Sequence, residues 1–376
     1  MSEPRILPSE SPLLSERIDV RCDAAFDDQL AVQWDHLLAH SSADSVFLTS
    51  GWLRAWHETF GKNRPLIIPQ IRIDGELVAA AAFHENNGAI EFAGTGPSDY
   101  SDVSISSEVE ANVRTQLINK LLIEAKFAAQ SCHHFRLGRI QPESELLRVM
   151  TDPSFDLLAT AVGDVIAAPY LDMSFVEERL RKKSLRRHEH GLERCGNVAS
   201  ATFAKAAEIL PQLDEFFDQH VKRWQFSGEQ SLFLQEHARE FYRRVTDRLD
   251  ATGQLRFTTV RLDGRLVAAH FGFYHAKRFI WYKPTFEPDL AKLSPGEVLI
   301  KKLLELARDE GAQVFDFTIG NEPFKLRFAS GVRELRYLHI TDSRAAAIAR
   351  RSRAFVGRRV RAVADGLRSL NGFVSS

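Results

Sequence analysis

The chain has 376 residues, of which 44% are hydrophobic and 26% are charged, and its formal net charge is −1. A chain of this length exceeds one ordinary hydrophobic core and is long enough for two domains. Its balanced charge excludes a general attraction to nucleic acid or to membranes, so any such contact has to come from a local patch.

Residues 1–16 are rich in Pro, Ser and Glu and contain little to bury, which predicts a flexible lead. Farther along, two segments repeat one pattern: IRIDGELVAAA at 71–81 and VRLDGRLVAAH at 260–270. Each has strand-like runs on both sides of an Asp-Gly pair, which is a strong signal for a two-residue turn. Both segments are therefore predicted to be β-hairpins.

The similarity continues after the hairpins. Residues 118–138 align with residues 300–320, and in both a helical spacing of apolar residues is followed by a strand-like run. The period is too long for a solenoid and indicates a duplicated domain. We predict an α/β (mixed α+β) protein with two tandem domains, each containing a mixed, mostly antiparallel sheet flanked by helices.

The repeat also predicts the domain boundaries. The N-terminal domain is expected at 17–165 and the C-terminal domain at 166–341. Residues 342–376 include an Arg-rich stretch and are predicted to form a helical tail. The apolar positions of this tail are mostly Ala and Val, so membrane contact through it is expected to be weak at best.

A helix start in the second domain is the first candidate for chemistry. It has Ser294 in the N-cap position, Pro295 in the first turn and Glu297 where a capping box would place it. The adjacent Gly296 would also let a phosphate approach free backbone N–H groups. Ser294, Pro295 and Gly296 are therefore candidates for binding a cofactor, and an ordinary helix start remains the alternative.

The segment DFTIGNEPFKLRFASGV at 316–332 is the second candidate. It begins in the last repeated strand with Asp316 and continues into a loop that carries Glu322 and Lys325. Polar groups at a strand's carboxyl end are a common place for a site in α/β proteins. The lysine would stabilise developing negative charge or hold an acidic ligand, and a surface lysine between core phenylalanines is the alternative.

Other polar residues are candidates for substrate binding, although each also fits a plain structural role. They comprise two residues on one helix, two on a basic helix and three in the turn-rich segment GPSDYSDV: His220 and Trp224, Arg186 and Arg187, and Asp99, Tyr100 and Asp102. The corresponding structural roles are core packing, a solvated basic helix and a turn.

Several segments share an order and spacing with a known family: LRRHEHGLERCGNV, FFDQHVKRW, FYRRV, the second hairpin, LSPGEVLIKKLL and DFTIGNEPFK. Together they make residues 170–340 resemble the GNAT acyltransferase superfamily, specifically the CelD-type domain associated with cellulose and exopolysaccharide synthesis. Weaker matches at FLTSGWLRAWHETFG and GPSDYSDV extend the resemblance over most of residues 45–340. The pattern Gly-x-x-x-Phe-Lys-x-x-Phe, beginning at Gly320, is also similar to FemAB-type transferases, which have two GNAT domains.

The resemblance implies direct transfer of an acetyl or other acyl group from acyl-CoA to an amine or hydroxyl of a sugar or polysaccharide precursor. It places coenzyme A along residues 279–283 and its pyrophosphate at Ser294–Gly296, where the usual Gln/Arg-x-x-Gly-x-Gly/Ala loop is reduced to Ser-Pro-Gly. Lys325 would lie near the oxyanion, and Tyr282, Asp316 and also His220 are candidates for proton transfer. Neither a metal nor a covalent acyl-enzyme is expected.

The first domain lacks these motifs. At an offset of 182 residues, Lys325 corresponds to Glu143 and Gly296 corresponds to Arg114. We therefore expect the second domain to be catalytic and the first to be a degenerate copy that forms one wall of a cleft.

Two other functions remain open. One is a FemAB-like transferase that uses an aminoacyl-tRNA, and the other is a non-catalytic subunit of polysaccharide-synthesis machinery. In either case, the three cysteines have no metal-ligand spacing and no apolar run is long enough for a signal peptide or a membrane span. These features predict a cytoplasmic protein.

Overall fold

A computed structural model describes residues 18–62, 64–129, 131–132, 134–151, 158–161 and 165–341. The predicted lead at 1–16 and the predicted Arg-rich tail at 342–376 lie outside the described residues.

The first half of the chain forms eight strands and four α-helices within the described residues. In chain order they are β1 Ile18–Asp23, α1 Asp28–Ala39, α2 Ser50–Thr59, β2 Leu66–Ile73, β3 Glu76–Ala80, β4 Phe83–Asn86, β5 Ala89–Phe92, β6 Ser104–Ile105, α3 Ala111–Ala128, β7 Phe135–Ile140, α4 Glu145–Met150 and β8 Leu158–Ala161.

The second half repeats the order of hairpin, further strand, helix and strand. Its elements are β9 Ile166–Asp172, α5 Val176–Leu180, α6 Lys183–Glu193, β10 Val198–Phe203, α7 Ala206–Ile209, α8 Leu213–Phe226, α9 Glu236–Leu249, β11 Leu255–Leu262, β12 Arg265–His275, β13 Arg278–Phe286, α10 Pro295–Asp309, β14 Val314–Asp316, α11 Pro323–Phe328 and β15 Gly331–Thr341.

Both predicted hairpins are confirmed. β2 pairs with β3 and β11 pairs with β12, both antiparallel. The turn residues Asp74 and Gly75 have φ of 53° and 88°, and Asp263 and Gly264 have φ of 49° and 84°. Positive φ at both central residues matches the twist of the flanking strands, which is why Asp-Gly occurs at both turns.

The strands of both halves join into one 15-stranded sheet in the order β10-β11-β12-β13-β14-β9-β15-β7-β5-β4-β2-β3-β6, with β1 on β2 and β8 on β15. Its pairs are antiparallel except for β5 with β7 and β13 with β14, which are parallel. The predicted fold class is confirmed. The joining strand is β15, which pairs with β9 through its first five residues and with β7 and β8 through the rest.

The largest hydrophobic cluster crosses from one half to the other, and we call it the seam core. From the first half it contains Trp34, Phe47, Trp52 and Trp56, and from the second half Phe216, Phe233, Phe241, Tyr242, Phe273 and Tyr282, among others. A second cluster lies under α3 and a third under α10. The two halves are therefore packed against each other through aromatic side chains.

Candidate functional site

A cavity of about 240 Å³ lies where the pairing of β13 with β14 ends, and we call it the α10 cavity. The last residue pair of these strands is Ile280 with Asp316. The cavity is lined by side chains of β13, the start of α10, and α11, with one arginine from α8: Trp281, Thr285, Phe286, Ser294, Gly296, Phe324, Arg327, Phe328 and Arg223, among others. Its wall is thus mostly apolar, with cations and a helix N-terminus at one side.

The start of α10 is not the capping box that the sequence suggested. Ser294 has a φ of 54° because it ends the 3-10 turn at 288–293 in the left-handed conformation, and its side chain makes no capping hydrogen bond. An N-cap side chain needs an extended backbone to reach the first-turn N–H groups. The carboxylate of Glu297 instead forms an ion pair with Arg327 and lies 2.9 Å from His188 Nδ1. It is thereby held by two side chains rather than by the helix start.

Arg223 brings a positive charge from α8 to the α10 cavity. Its Nη1 donates to the Pro284 carbonyl at 2.7 Å, and its guanidinium lies 4.7 Å from the centre of the Phe286 ring. Burial lowers the pKa of Arg223, and the charge of Glu322 opposes that shift. A partly desolvated guanidinium beside a helix N-terminus favours an anionic ligand.

Asp316 lies at the end of β14 and links the two halves of the chain. It accepts from the Tyr100 hydroxyl at 2.6 Å and from the Thr318 amide at 2.8 Å, and its other oxygen lies 3.2 Å from Arg333 Nη1. Thr318 follows with a φ of 55°, which is unfavourable for a β-branched residue. The structure thus brings two predicted site residues, Asp316 and Tyr100, into contact.

Tyr282 also connects the halves. Its hydroxyl donates to the Pro97 carbonyl at 2.6 Å and accepts from the Tyr242 hydroxyl at 2.9 Å. Burial raises the pKa of Tyr282 well above its ordinary value. Its backbone N–H donates to His270 Nε2 at 3.1 Å, at the irregularity in the pairing of β12 with β13. The proton of this phenol is therefore engaged in a hydrogen bond between the halves.

Lys325 is on α11 and its side chain is buried. Nζ donates to the Ile319 carbonyl at 2.5 Å and lies 3.1 Å from Glu322 Oε2. A Cβ at Gly320 would come within 2.2 Å of that glutamate's Oε2 and 2.8 Å of Nζ, and Gly320 has a φ of 121°. The glycine is thus required for Glu322 and Lys325 to pack over the loop.

Residues 96–103, between β5 and β6, form what we call the first-half loop. In this loop, Asp99 is buried with Oδ1 at 3.9 Å from Arg139 Nη1. Asp102 points elsewhere, because its carboxylate accepts from Ser144 Oγ at 2.8 Å and from the Val103 amide. Burial raises the pKa of Asp102 to about 7. Tyr100 therefore contacts the second half through Asp316, whereas the ion pair of Asp99 and the hydrogen bonds of Asp102 stay within the first half.

The remaining predicted residues divide into buried and exposed sets. His220 is buried, stacks on Trp224 at 5.5 Å and lies with Nδ1 2.8 Å from Ser231 Oγ. Burial, with Lys283 and Arg223 nearby, lowers the pKa of His220 to about 3. Arg186 and Arg187 are exposed on α6, the helix that packs beside α10.

Two residues of this region were missed by the sequence predictions. Lys283 follows Tyr282 in β13, and Arg139 follows β7's Gly138 with a φ of 60°. A lysine inside the apolar run FIWYKP was a usable signal, because charged residues are rarely placed in buried strands without a partner or a function. Nothing local in the sequence marks Arg139, whose position depends on the contact between the halves.

Within the described residues, no helix has both the length and the apolar character needed to cross a membrane. The same residues contain no group of three or more His, Cys, Asp or Glu placed to hold a metal ion.

A comparison with protein families finds a match, which lies within the second half of the chain. Residues 179–326 match the family model described as "Acetyltransferase (GNAT) domain". A comparison with curated proteins gave no match. The family match identifies a GNAT acetyltransferase domain within residues 179–326 and supports an acyltransferase.

Similar solved structures cover most of the chain. FemX aligns with a TM-score of 0.57 at 10% identity, over 86% of this chain and 96% of that one. L-PGS from Bacillus licheniformis has a TM-score of 0.55 at 13% identity, over 90% of this chain and 97% of that one. A conserved protein of unknown function from Bacteroides thetaiotaomicron has a TM-score of 0.55 at 12% identity, over 86% of this chain and 100% of that one. Because these sequence identities are low, the comparisons show a shared fold and not a shared activity.

Proposed function

We propose that this protein transfers an acetyl or other acyl group directly from acyl-CoA to an amine or hydroxyl of a sugar or polysaccharide precursor in the cytoplasm. In this proposal residues 166–341 form the catalytic domain and residues 17–165 form a degenerate copy that closes one side of the acceptor cleft. The α10 cavity carries the proposal, because it combines an apolar wall with a helix N-terminus and the cation of Arg223.

Coenzyme A has an anionic end and an uncharged arm, and the α10 cavity offers a surface for each. Ser294, Pro295 and Gly296 line it at the helix start. Pro295 has no N–H and the Ser294, Glu297 and Val298 amides donate to backbone carbonyls, so the Gly296 N–H is the donor that this turn offers to a phosphate. Glu297 is already held by Arg327 and His188, so its carboxylate is not capping that N–H. The aromatic side chains of Trp281 and Phe324 fit the uncharged arm.

The reaction joins the acceptor's N or O to the thioester carbonyl carbon, after which the C–S bond breaks and the thiolate leaves with a proton. Lys325 is proposed to stabilise the oxyanion. Tyr282 and Asp316 stay candidates for proton transfer. In this conformation each is already engaged, Tyr282 with Pro97 and Asp316 with Tyr100, so either would have to exchange that hydrogen bond to act.

Titration calorimetry with acetyl-CoA tests the donor site. We expect saturable binding with a stoichiometry of about one. A Cβ at Gly296 would lie 3.5 Å from Phe286, an ordinary contact, so Gly296→Ala should still bind while Gly296→Trp should fill the cavity and abolish binding. Gly191→Trp is the matched control, because a Cβ there meets only the end of Arg194 at 3.8 Å. Failure of both acetyl-CoA and a longer acyl-CoA to bind would remove the proposal.

An aminoacyl-tRNA is the second candidate for the donor. The exposed pair Arg186 and Arg187 on the helix beside α10 favours it, as does the likeness in fold to FemX. This donor predicts an affinity for aminoacyl-tRNA that falls steeply with salt and weakens in the double variant Arg186→Glu, Arg187→Glu. If neither donor binds, a non-catalytic role in polysaccharide synthesis becomes the better explanation.

A further inference from the structure

We propose that Lys283 selects an acceptor that carries a negative charge, either a carboxylate or a phosphate, close to its reacting amine or hydroxyl. This inference rests on the proposed function and names the class of its acceptor.

Lys283 is placed between the α10 cavity and the first half of the chain. It follows Tyr282, whose hydroxyl donates to the Pro97 carbonyl and so holds this part of β13 against the first-half loop. The residues on either side of this pair, Trp281 and Pro284, both line the α10 cavity. An acceptor that approaches a donor in this cavity from the seam between the halves would pass Lys283.

The charge of Lys283 has no close counterion. Among the described residues, no carboxylate lies within 4.0 Å of its Nζ. The nearest aromatic contact is with the Tyr282 ring, whose centre lies 4.1 Å from Nζ. A ring face stabilises an ammonium far less than a carboxylate does.

The neighbouring carboxylates already lie next to other cations. Asp99 is 3.9 Å from Arg139, and Glu322 is 3.1 Å from Lys325. Neither carboxylate is therefore paired with Lys283. Arg223 adds a further positive charge to this region, and its Nη1 donates to the Pro284 carbonyl rather than to a carboxylate. The region around Lys283 thus carries an excess of positive charge.

The pKa of Lys283 agrees with this arrangement. Burial lowers it, Arg139 and Lys325 lower it further, and Asp99 opposes them. A partly desolvated charge without a counterion costs free energy in the empty protein. An anionic group on the acceptor would supply the missing charge, whereas a neutral acceptor would have to desolvate the ammonium further without compensation.

The chemical reactivity of Lys283 tests this inference without any need for turnover. The full chain is treated with formaldehyde and cyanoborohydride, and the rate of dimethylation at each lysine is followed by mass spectrometry with increasing inorganic phosphate. At about ten times the dissociation constant, we expect modification of Lys283 to slow about tenfold. Lys277, exposed at the turn before β13, is the internal control and should react at an unchanged rate.

The assay is repeated with saturating CoA to locate the anion. Continued protection of Lys283 by phosphate assigns the anion site to the acceptor. If CoA alone gives the protection and phosphate adds none, the site belongs to the donor and the inference is overturned. An absence of saturable protection by phosphate also overturns it. Protection by phosphate without any binding of CoA or acetyl-CoA would support the anion site while contradicting the proposed donor.

Variants and matched acceptors provide the second measurement. Phosphate should raise the Tm of the wild type and of Lys283→Arg but not that of Lys283→Met. With acetyl-CoA, glucosamine 6-phosphate should have a lower KM than glucosamine, and Lys283→Met should remove that difference whereas Lys283→Arg should keep it. Loss of kcat with both acceptors in Lys283→Met and Lys283→Arg would instead identify a base, which contradicts a role in selectivity.

Discussion

Three histidines that could be mistaken for catalytic groups are buried as neutral core residues. His84 packs against Trp56 at 4.8 Å, and His220 and His270 also stack on aromatic rings. Burial lowers the pKa of His84 to about 4 and those of the other two to about 3. The hydration that a cation would lose in these positions outweighs the nearby favourable charges, including Glu91 at 3.9 Å from His84 Nε2.

Each of these histidines contributes a loss of stability in weak acid. The raised pKa of Asp102 acts in the opposite direction, because the folded chain binds a proton there more readily than the unfolded chain does. The folded pKa values of the histidines lie below the unfolded value of about 6.5, so the unfolded chain binds more protons between those limits. Their contribution to stability is therefore fully present above pH 6.5 and is lost as the pH falls towards the folded values. Each histidine should lower the free energy of unfolding by about 1–2 kcal/mol between pH 7 and pH 5. Urea denaturation at the two pH values measures the loss.

The variant His84→Phe isolates one of the three. Both ring nitrogens of His84 are buried without a hydrogen-bond partner, so a phenyl ring should keep the contact with Trp56 and remove the titration. We expect this variant to lose about 1–2 kcal/mol less than the wild type between pH 7 and pH 5. His36→Gln, at an exposed position, should behave as the wild type. An unchanged pH dependence in His84→Phe would contradict the assignment.

Among the elements, β15 is the strand that joins the two halves, because it pairs with β9 of the second half and with β7 and β8 of the first. Leu338 pairs with Leu137 of β7 and packs in the cluster under α3, although it lies in the last strand of the second half. The first part of β15 pairs within the second half instead, where Leu335 lies opposite Ile166 of β9. A substitution at Leu338 should therefore destabilise mainly the first half.

The substitution Leu338→Ala should lower the free energy of unfolding by about 2–5 kcal/mol, because it leaves a cavity at a fully buried position. Amide hydrogen exchange should increase more in α3 than in α10. Val332→Ala is the control in the same strand, since Val332 is 47% exposed and should change stability little. Equal increases in α3 and α10 would show that β15 does not belong preferentially to the first-half core at this end.

The elements that the sequence predicted correctly are those with local signals. The Asp-Gly pairs marked both hairpins, and helical spacing marked α3 and α10. The division of β15 between the halves could not be predicted, because its partners lie up to 205 residues away (340 − 135) and pairing leaves no local pattern. The capping box failed because the preceding turn sets the left-handed backbone of Ser294.

The same distinction holds for the site. Gly296, Asp316 and Lys325 were identified because each follows a strand or begins a helix, which are places where sites recur. The contact of Tyr100 with Asp316 and the isolation of Lys283 depend on how the halves pack together. Neither could be derived from the spacing within either half.

At the scale of the whole molecule, the seam core makes the two halves depend on each other. Trp52 of the first half is fully buried and packs against Phe241 at 4.9 Å, Tyr282 at 5.7 Å and Phe273 at 5.8 Å, all from the second half. An isolated half would expose this aromatic surface to water. Such a surface is too large and too apolar to behave as an interface between independent domains.

We therefore expect one cooperative thermal transition for the whole chain, despite its duplicated fold. Trp52→Ala should lower that transition, with a loss of about 3–5 kcal/mol, without splitting it. Differential scanning calorimetry checks both points, and Val32→Ala, at a position 72% exposed, is the control. Two resolved transitions, only one of them shifted by Trp52→Ala, would show that the halves unfold independently.

The double membership of β15 also has a consequence during synthesis. β7 is complete at Ile140, but its neighbour on one side begins to pair with it only at Arg336, so 196 residues (336 − 140) must be translated in between. At 5–20 residues per second this takes roughly 10–40 s. Throughout that interval the first half presents an open strand edge, which is a template for pairing with another nascent chain. Slow growth at low temperature, or a chaperone that covers such edges, should therefore raise the yield of this protein.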